Sequence, residues 1–340
     1  MGTTGSGPVA DERLVRLKQW LAHDLGLRLR SLEPIANDAS FRRYFRVHLA
    51  KTTYIAMDAP PAHEDCHAFV AVAKLLREAG INAPAVLEQE RVQGFLLLAD
   101  LGRESYLDAI AYNDADALFT DAIDALIRWQ LASEPGRLPS YSRDLLQREL
   151  DLFPDWYLAR HLGLELSATE RDGWQEVCAR LIDSALEQAS VYVHRDYMVR
   201  NLMYCEPNPG VIDFQDAVYG PVTYDIASLL RDAFISWEPR LETRWLRYYA
   251  TRARLEGVPI AVDDDEFVRQ LDWMGVQRHL KVIGIFARLY YRDGKSRYLA
   301  EAPRFFDYVR TVAARYSELG ALLKLLDGLQ QRQGSQKPRL

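Results

Sequence analysis

His194-Arg195-Asp196-Tyr197-Met198-Val199-Arg200-Asn201, followed by Gly210-Val211-Ile212-Asp213-Phe214-Gln215, concentrates the chemistry of this chain in a short span. Ser190 to Val193, just upstream, is apolar and β-branched and reads as a strand, so the octet lies on the loop leaving it. Asn201 to Tyr204 and Val211 to Phe214 read as two further short strands, with Pro207-Asn208-Pro209-Gly210 as the turn between them. Asp196 and Asn201 are five residues apart, and Asp213 follows twelve residues later. A carboxylate such as Asp196 can orient an acceptor hydroxyl and take its proton. A neutral amide oxygen on Asn201 and a charged oxygen on Asp213 suit a hard cation such as Mg²⁺, provided a polyphosphate supplies the remaining negative charge. The plain alternative is a polar turn, where Asp and Asn are common. Residue type, spacing and strand ends agreeing together favour the chemical reading.

Outward from this island the chain is mostly helical. Apolar residues recur at helical spacing near 113–133, 142–160, 168–188, 264–290 and 303–329. The first hundred residues differ. A helix over 11–23 precedes a hairpin formed by Tyr44 to Leu49 and Thr53 to Met57, then a helix over 65–79 ended by Gly80, then a second hairpin of Val86 to Glu90 and Phe95 to Ala99 around Gln93-Gly94. The pattern predicts an α+β fold of two lobes. A small β-rich N-terminal lobe spans 11–101 and a larger helical C-terminal lobe spans 102–330, with a Gly/Ser/Thr-rich flexible leader over 1–10 and a polar tail over 331–340. No internal repeat of 20 to 50 residues is visible.

The 340 residues exceed the usual size of one core, which also favours two lobes. A net charge of -6, from 42 basic and 48 acidic side chains, argues against general nucleic-acid binding. Cys66, Cys178 and Cys205, three thiols at wide spacing, suit a reducing compartment better than a disulfide framework. No run approaches the ~18 apolar residues of a membrane span. A cytoplasmic protein without nucleic-acid or membrane partners is expected, and oligomeric state is not legible.

The octet has the H-R-D-x-x-x-x-N spacing of kinase catalytic loops, and Asp213-Phe214-Gln215 resembles their D-F-G metal element. The wider sequence resembles the aminoglycoside phosphotransferase and choline kinase superfamily, relatives of the protein kinases, from the segment 38–47, through Phe95-Leu96-Leu97-Leu98 as an interlobe hinge, to Tyr224-Asp225. That resemblance implies a protein-kinase-like bilobal fold and a phosphotransferase using Mg²⁺ and ATP. Asp196 would be the catalytic base, Asn201 and Asp213 the metal ligands, and His194 and Asp225 supports for the loop. Asp38 to Phe45, Arg148 to Tyr157 and Gly210 to Pro221 look like a branch of amino-sugar kinases in bacterial cell-wall recycling. The implied reaction is phosphorylation of N-acetylmuramate and N-acetylglucosamine on the anomeric hydroxyl. Arg195, Arg200, Arg148, Glu149 and Trp156 are the implied sugar-binding candidates. A kinase for an aminoglycoside, choline or an amino alcohol is the alternative, but a cationic acceptor calls for an acidic pocket, whereas Arg195 and Arg200 flank the base.

The chain departs from the wider family in two places. Met57 and Phe69 stand near the positions of the usual Lys and Glu pair, which leaves no unpaired buried charge but removes the usual phosphate clamp. The family's Gly-rich phosphate loop corresponds to 38–47, which contains no glycine and offers Ser40, Arg42 and Arg43 as nucleotide ligands. If residues 44–49 alternate as a strand, the two arginines point to opposite faces and one of them reaches the nucleotide. Loss of the clamp also raises a non-catalytic nucleotide-binding scaffold, against which the intact Asp196, Asn201 and Asp213 speak. His63-Glu64-Asp65-Cys66-His67 fits the zinc-peptidase pattern H-E-x-x-H, but Pro60-Pro61 places His63 at a helix start, off the shared face that zinc needs. Tyr157, Tyr290 and Tyr291 have the flat rings that stack on sugars, yet aromatics at helical positions are usually core.

Overall fold

The structure, a computed structural model, describes residues 11–35 and 41–336. The chain divides into two compact units, one running to Arg103 and taking in Gly210–Gln215, the other comprising Glu104–Pro209 and the residues from Asp216 onward.

In the smaller unit, Asp11 caps helix α1 (Glu12–Gln19), which widens into a π-helical turn over Trp20–Asp24. Five antiparallel strands follow: β1 (Ser31–Ile35), β2 (Arg43–His48), β3 (Thr53–Asp58), β4 (Val86–Glu90) and β5 (Phe95–Ala99), in the order β1-β2-β3-β5-β4. Leu17, Trp20 and Leu21 pack with Phe45, Val47, Ala56, Phe95 and Leu97 into a core. Helix α2 (Cys66–Glu78) starts at the Asp65 cap and buries Phe69, Val72, Ala73, Leu75 and Leu76. Gly94 closes the second hairpin at φ 74°, where a Cβ would meet the Ala59 carbonyl oxygen at 2.0 Å, so only glycine fits that turn.

Strand β1 is absent from the sequence reading because Pro34 interrupts it. Proline is tolerated there since β1 is an edge strand.

Charges are also built into this unit. Asp58, fully buried, accepts from Arg13 Nε at 2.9 Å and from Arg43 Nε at 3.0 Å, and Arg43 reaches on to Asp11. Arg46 pairs with Asp100 at 2.7 Å and donates to the Gly102 carbonyl.

The larger unit contains α3 (Tyr106–Ala109), α4 (Ala115–Leu131), α5 (Arg143–Leu152), α6 (Ala168–Glu187), α7 (Tyr224–Leu230), α8 (Pro239–Glu256), α9 (Asp264–Asp293), α10 (Ala302–Ala313) and α11 (Gly320–Gln336). Its strands are β6 (Ser190–Val193), β7 (Leu202–Met203) and β9 (Val218–Pro221), while β8 (Gly210–Val211) belongs to the smaller unit. β6 pairs antiparallel with β9, from Ser190 against Pro221 to Val193 against Val218. The 30-residue α9 is mostly buried and packs against α5, α6, α7 and α10. Gly284 permits its crossing with α5, since a Cβ there would lie 2.4 Å from the Leu152 carbonyl carbon.

Several expected boundaries are corrected. The 142–160 helix stops at Leu152 and continues as a π-helical stretch, Phe153–His161, because Pro154 has no N–H to keep the α ladder. The 303–329 helix is broken between α10 and α11 by a short 3₁₀ turn at Ser317–Leu319. α8 went unforeseen although Pro239 at its first position and Gly257 at its left-handed C-cap are ordinary start and stop signals. Asn201 sits in a 3₁₀ turn rather than a strand, and β9 was not anticipated. Helix α11 runs to Gln336, into the expected polar tail, whereas the leader and residues 337–340 lie outside the described residues.

Asp58→Asn is expected to lower unfolding free energy by roughly 2 kcal/mol, less than for a fully buried pair because both arginines keep some contact with water. Urea unfolding checks this, with a lower midpoint at unchanged slope expected and an unchanged midpoint contradicting it.

Candidate active site

The catalytic loop is built from the backbone outward. Arg195 has φ 75°, a left-handed conformation uncommon for a residue with a side chain. Asp225, 1% exposed in the first turn of α7, supports that turn, its carboxylate accepting from His194 N at 2.6 Å and Arg195 N at 3.0 Å. Burial pushes the Asp225 carboxyl up to about 7, against the pull of both N–H donors. The buried His194 ring accepts from Asp196 N through Nδ1 at 3.3 Å, so its neutral form carries the proton on Nε2. Tyr197 packs edge-on against that ring and donates to the Ala122 carbonyl at 2.8 Å.

The loop's far end has its own buried anchor. Asp232 accepts from Val199 N at 2.9 Å and Phe234 N at 2.6 Å. Asn201 donates through Nδ2 to the Asp196 carbonyl at 2.9 Å, which leaves the amide oxygen as the end suited to a hard cation.

Asp213 lies in the smaller unit at φ 64°, again left-handed, and its Oδ1 accepts from Gln215 Nε2 at 3.2 Å. Val211 N donates to the Asn82 carbonyl at 2.7 Å, and the buried Phe214 ring packs 4.7 Å from Phe69. Met57 and Phe69 are both core residues.

The nucleotide candidates separate. Ser40 lies outside the described residues. Arg43 pairs with Asp11 and Asp58, which hold its guanidinium above its ordinary value. Arg42 parts from it and pairs with Glu64 at 3.5 Å.

Of the sugar candidates, Arg195 and Glu149 meet directly. Glu149 is 5% exposed and takes donors from Arg195, Lys281, Tyr141 and Gln277 in a buried ionic junction. The two cations hold its carboxyl down to about 2 despite burial. Arg195 is correspondingly engaged. Arg148 is exposed and donates to the Asp144 carbonyl at 3.3 Å. Trp156 is half-buried beneath Arg160, and the Arg200 guanidinium lies 4.8 Å over the Phe234 ring.

In the zinc-like pentad, His63 stacks on Phe41 in the turn before α2 and His67 binds Asp65. Among the described residues no group of three or more His, Cys, Asp or Glu could hold a metal by itself. Tyr157 is core, stacked on Phe153, while Tyr290 and Tyr291 are 40% and 42% exposed.

The sequence reading missed Asp232, Lys281, Gln277 and Tyr141. Lys281 had a signal, being a lone cation within the apolar run Leu280 to Ile283.

Residues 31–258 match the phosphotransferase enzyme family. The chain belongs to that family. It is 54% identical over 301 residues to the N-acetylmuramate/N-acetylglucosamine kinase of Pseudomonas aeruginosa, covering 88% of this chain and 89% of that one. The kinase of the same name from Pseudomonas putida is 50% identical over 333 residues, 95% of this chain and 98% of that one. An amicoumacin kinase solved in complex with AMP-PNP and calcium shares the fold at a TM-score of 0.62 and 14% identity, over 89% of this chain and 93% of that one. The expected α+β fold of protein-kinase type is therefore the one found.

Asp225→Ala should cost about 2–3 kcal/mol of stability, because the N–H groups of His194 and Arg195 lose their shared acceptor. Its folded value of about 7 lies above the ordinary 3.8, so the stability it contributes is fully present below 3.8 and is lost as pH rises through about 7. Urea titrations across that window should show the slope in the wild type and its absence in Asp225→Asn. An equal slope in both proteins contradicts the assignment.

Proposed function

We propose that this protein transfers the γ-phosphoryl group of ATP to the anomeric hydroxyl of N-acetylmuramate and N-acetylglucosamine, giving the sugar 1-phosphates used in peptidoglycan recycling. The observation that carries the reading is the 54% and 50% identity, over nearly the whole chain, to two kinases named for those sugars. Likeness in fold to kinases of other small alcohols shows the fold alone and does not shift the choice of acceptor.

In this reading Asp196 orients the sugar hydroxyl and takes its proton. An anomeric hydroxyl is more acidic than an ordinary alcohol because the ring oxygen withdraws charge, so a carboxylate base can serve it. Asn201, its amide nitrogen engaged by the Asp196 carbonyl, and Asp213 supply oxygen ligands to Mg²⁺. The cation, when bound, draws charge from the β- and γ-phosphates. His194 orients the backbone of the base through the Asp196 N–H. One of Arg42 and Arg43, each of which also pairs with carboxylates of its own unit, is proposed to meet the nucleotide.

Residues up to 101 form the proposed nucleotide lobe and those from 102 the catalytic lobe. Three cysteines outside any disulfide and an ATP-dependent reaction support the cytoplasm as the proposed compartment. No helix among the described residues is long and apolar enough to cross a membrane.

ATP consumption measured with a panel of N-acetylmuramate, N-acetylglucosamine, an aminoglycoside, choline and ethanolamine tests the reading. Turnover confined to the amino sugars is expected, and turnover on the cationic alcohols alone contradicts it. Asp196→Asn should keep nucleotide binding and lose roughly a hundredfold or more in turnover, the scale of a general base. Wild-type turnover in that variant removes Asp196 from the mechanism.

A further inference from the structure

The junction around Glu149 has no part in the roles above. Its Oε1 meets Arg195 and Lys281, and its Oε2 meets Tyr141 and Gln277, with Lys281 Nζ at 2.9 Å and Gln277 Nε2 at 3.1 Å. Lys281 also donates to Tyr224 Oη at 2.9 Å. Two cations thus share one carboxylate, and the Lys281 and Glu149 side chains are only 9% and 6% exposed.

Charges buried in this way contribute little net stability, because desolvation offsets their attraction and apolar residues of the same volume would hold α5 and α9 together as well. Their placement is more informative. Arg195 immediately precedes Asp196 and holds the left-handed turn. Its guanidinium is held by Glu149, donates to the Asp216 carbonyl at 3.3 Å, and lies 5.6 Å from the Tyr141 ring centre. Lys281, from α9, holds the same Glu149 oxygen that Arg195 meets, at 2.9 Å.

We propose that Glu149 and Lys281 are positioning residues for Asp196: Glu149 clamps the Arg195 side chain and so holds the turn that aims the carboxylate, while Lys281 fixes Glu149 in place. The inference rests on Asp196 being the base. It assigns α5 and α9 a catalytic consequence without either helix touching the reacting atoms.

The test uses the full chain and compares Asp196→Asn, Glu149→Gln, Lys281→Gln and Lys281→Arg for kcat, KM for ATP and KM for N-acetylglucosamine. Misplacing a catalytic group by about 1 Å can cost on the order of a hundredfold, so Glu149→Gln and Lys281→Gln should lose roughly ten- to a hundredfold in kcat, with KM for ATP within about twofold. Lys281→Arg, which keeps a cation, should recover most of the loss. Where Glu149→Gln does not fold, Lys281→Gln carries the test, because the Arg195–Glu149 pair remains. Normal kcat in folded Lys281→Gln, a loss confined to KM for ATP, or no recovery by Lys281→Arg overturns the proposal while an inactive Asp196→Asn leaves the base assignment standing. An active Asp196→Asn overturns both.

Discussion

Two consecutive backbone N–H groups, those of His194 and Arg195, converge on the carboxylate of Asp225. A left-handed residue bearing a side chain costs about 1–3 kcal/mol, and buried hydrogen bonds contribute about 0.5–1.5 kcal/mol each, so the pair of bonds can offset the strain. Once that turn is held, the His194 ring lies beneath the Asp196 N–H, and the Asp196 carbonyl is presented to Asn201 Nδ2. Asp232 performs the matching task at the other end by accepting from Val199 N. Buried carboxylates on and just after α7 satisfy the loop's backbone donors, while its Tyr197, Met198 and Val199 side chains pack in the core.

The same logic explains a helix that would otherwise look ill suited to its surroundings. Gln277, Arg278, His279 and Lys281 are all buried on α9, which runs through the middle of the larger unit. Gln277 and Lys281 meet Glu149, while the His279 ring bonds to the Arg231 carbonyl at 3.1 Å. Burial and nearby arginines push the His279 imidazole well below its ordinary value, so it serves as a neutral polar spacer. Buried polar groups on a helix are costly where they lack partners, as Gln277 Oε1, Arg278 Nη1 and His279 Nδ1 do, whereas Gln277 Nε2 and Lys281 Nζ both meet Glu149.

Legibility in the sequence followed the range of the interactions involved. Asp196, Asn201 and Asp213 stood out because spacing along a loop is a local property, and the strands around 43–58 and 86–99 showed because alternation and a Gly turn are local too. Strand β1 was hidden by Pro34, whose penalty disappears only at a sheet edge, and β9 by pairing with a strand more than twenty residues away. The ion pairs around Glu149 and Arg43 were not legible because they depend on side chains meeting across the fold. Glu149 looks like any helical glutamate until Arg195 and Lys281, 46 and 132 residues further along, close on it. Arg43 likewise shows no ion-pair partner along the sequence until Asp11 and Asp58 engage it.

The central claim is that this family member acts on an anomeric hydroxyl rather than a primary alcohol, and phosphorus–proton coupling in the isolated product separates the two. After incubation with N-acetylmuramate and Mg-ATP, the account predicts phosphorus coupled to the anomeric proton. Coupling to the exocyclic methylene protons would contradict it.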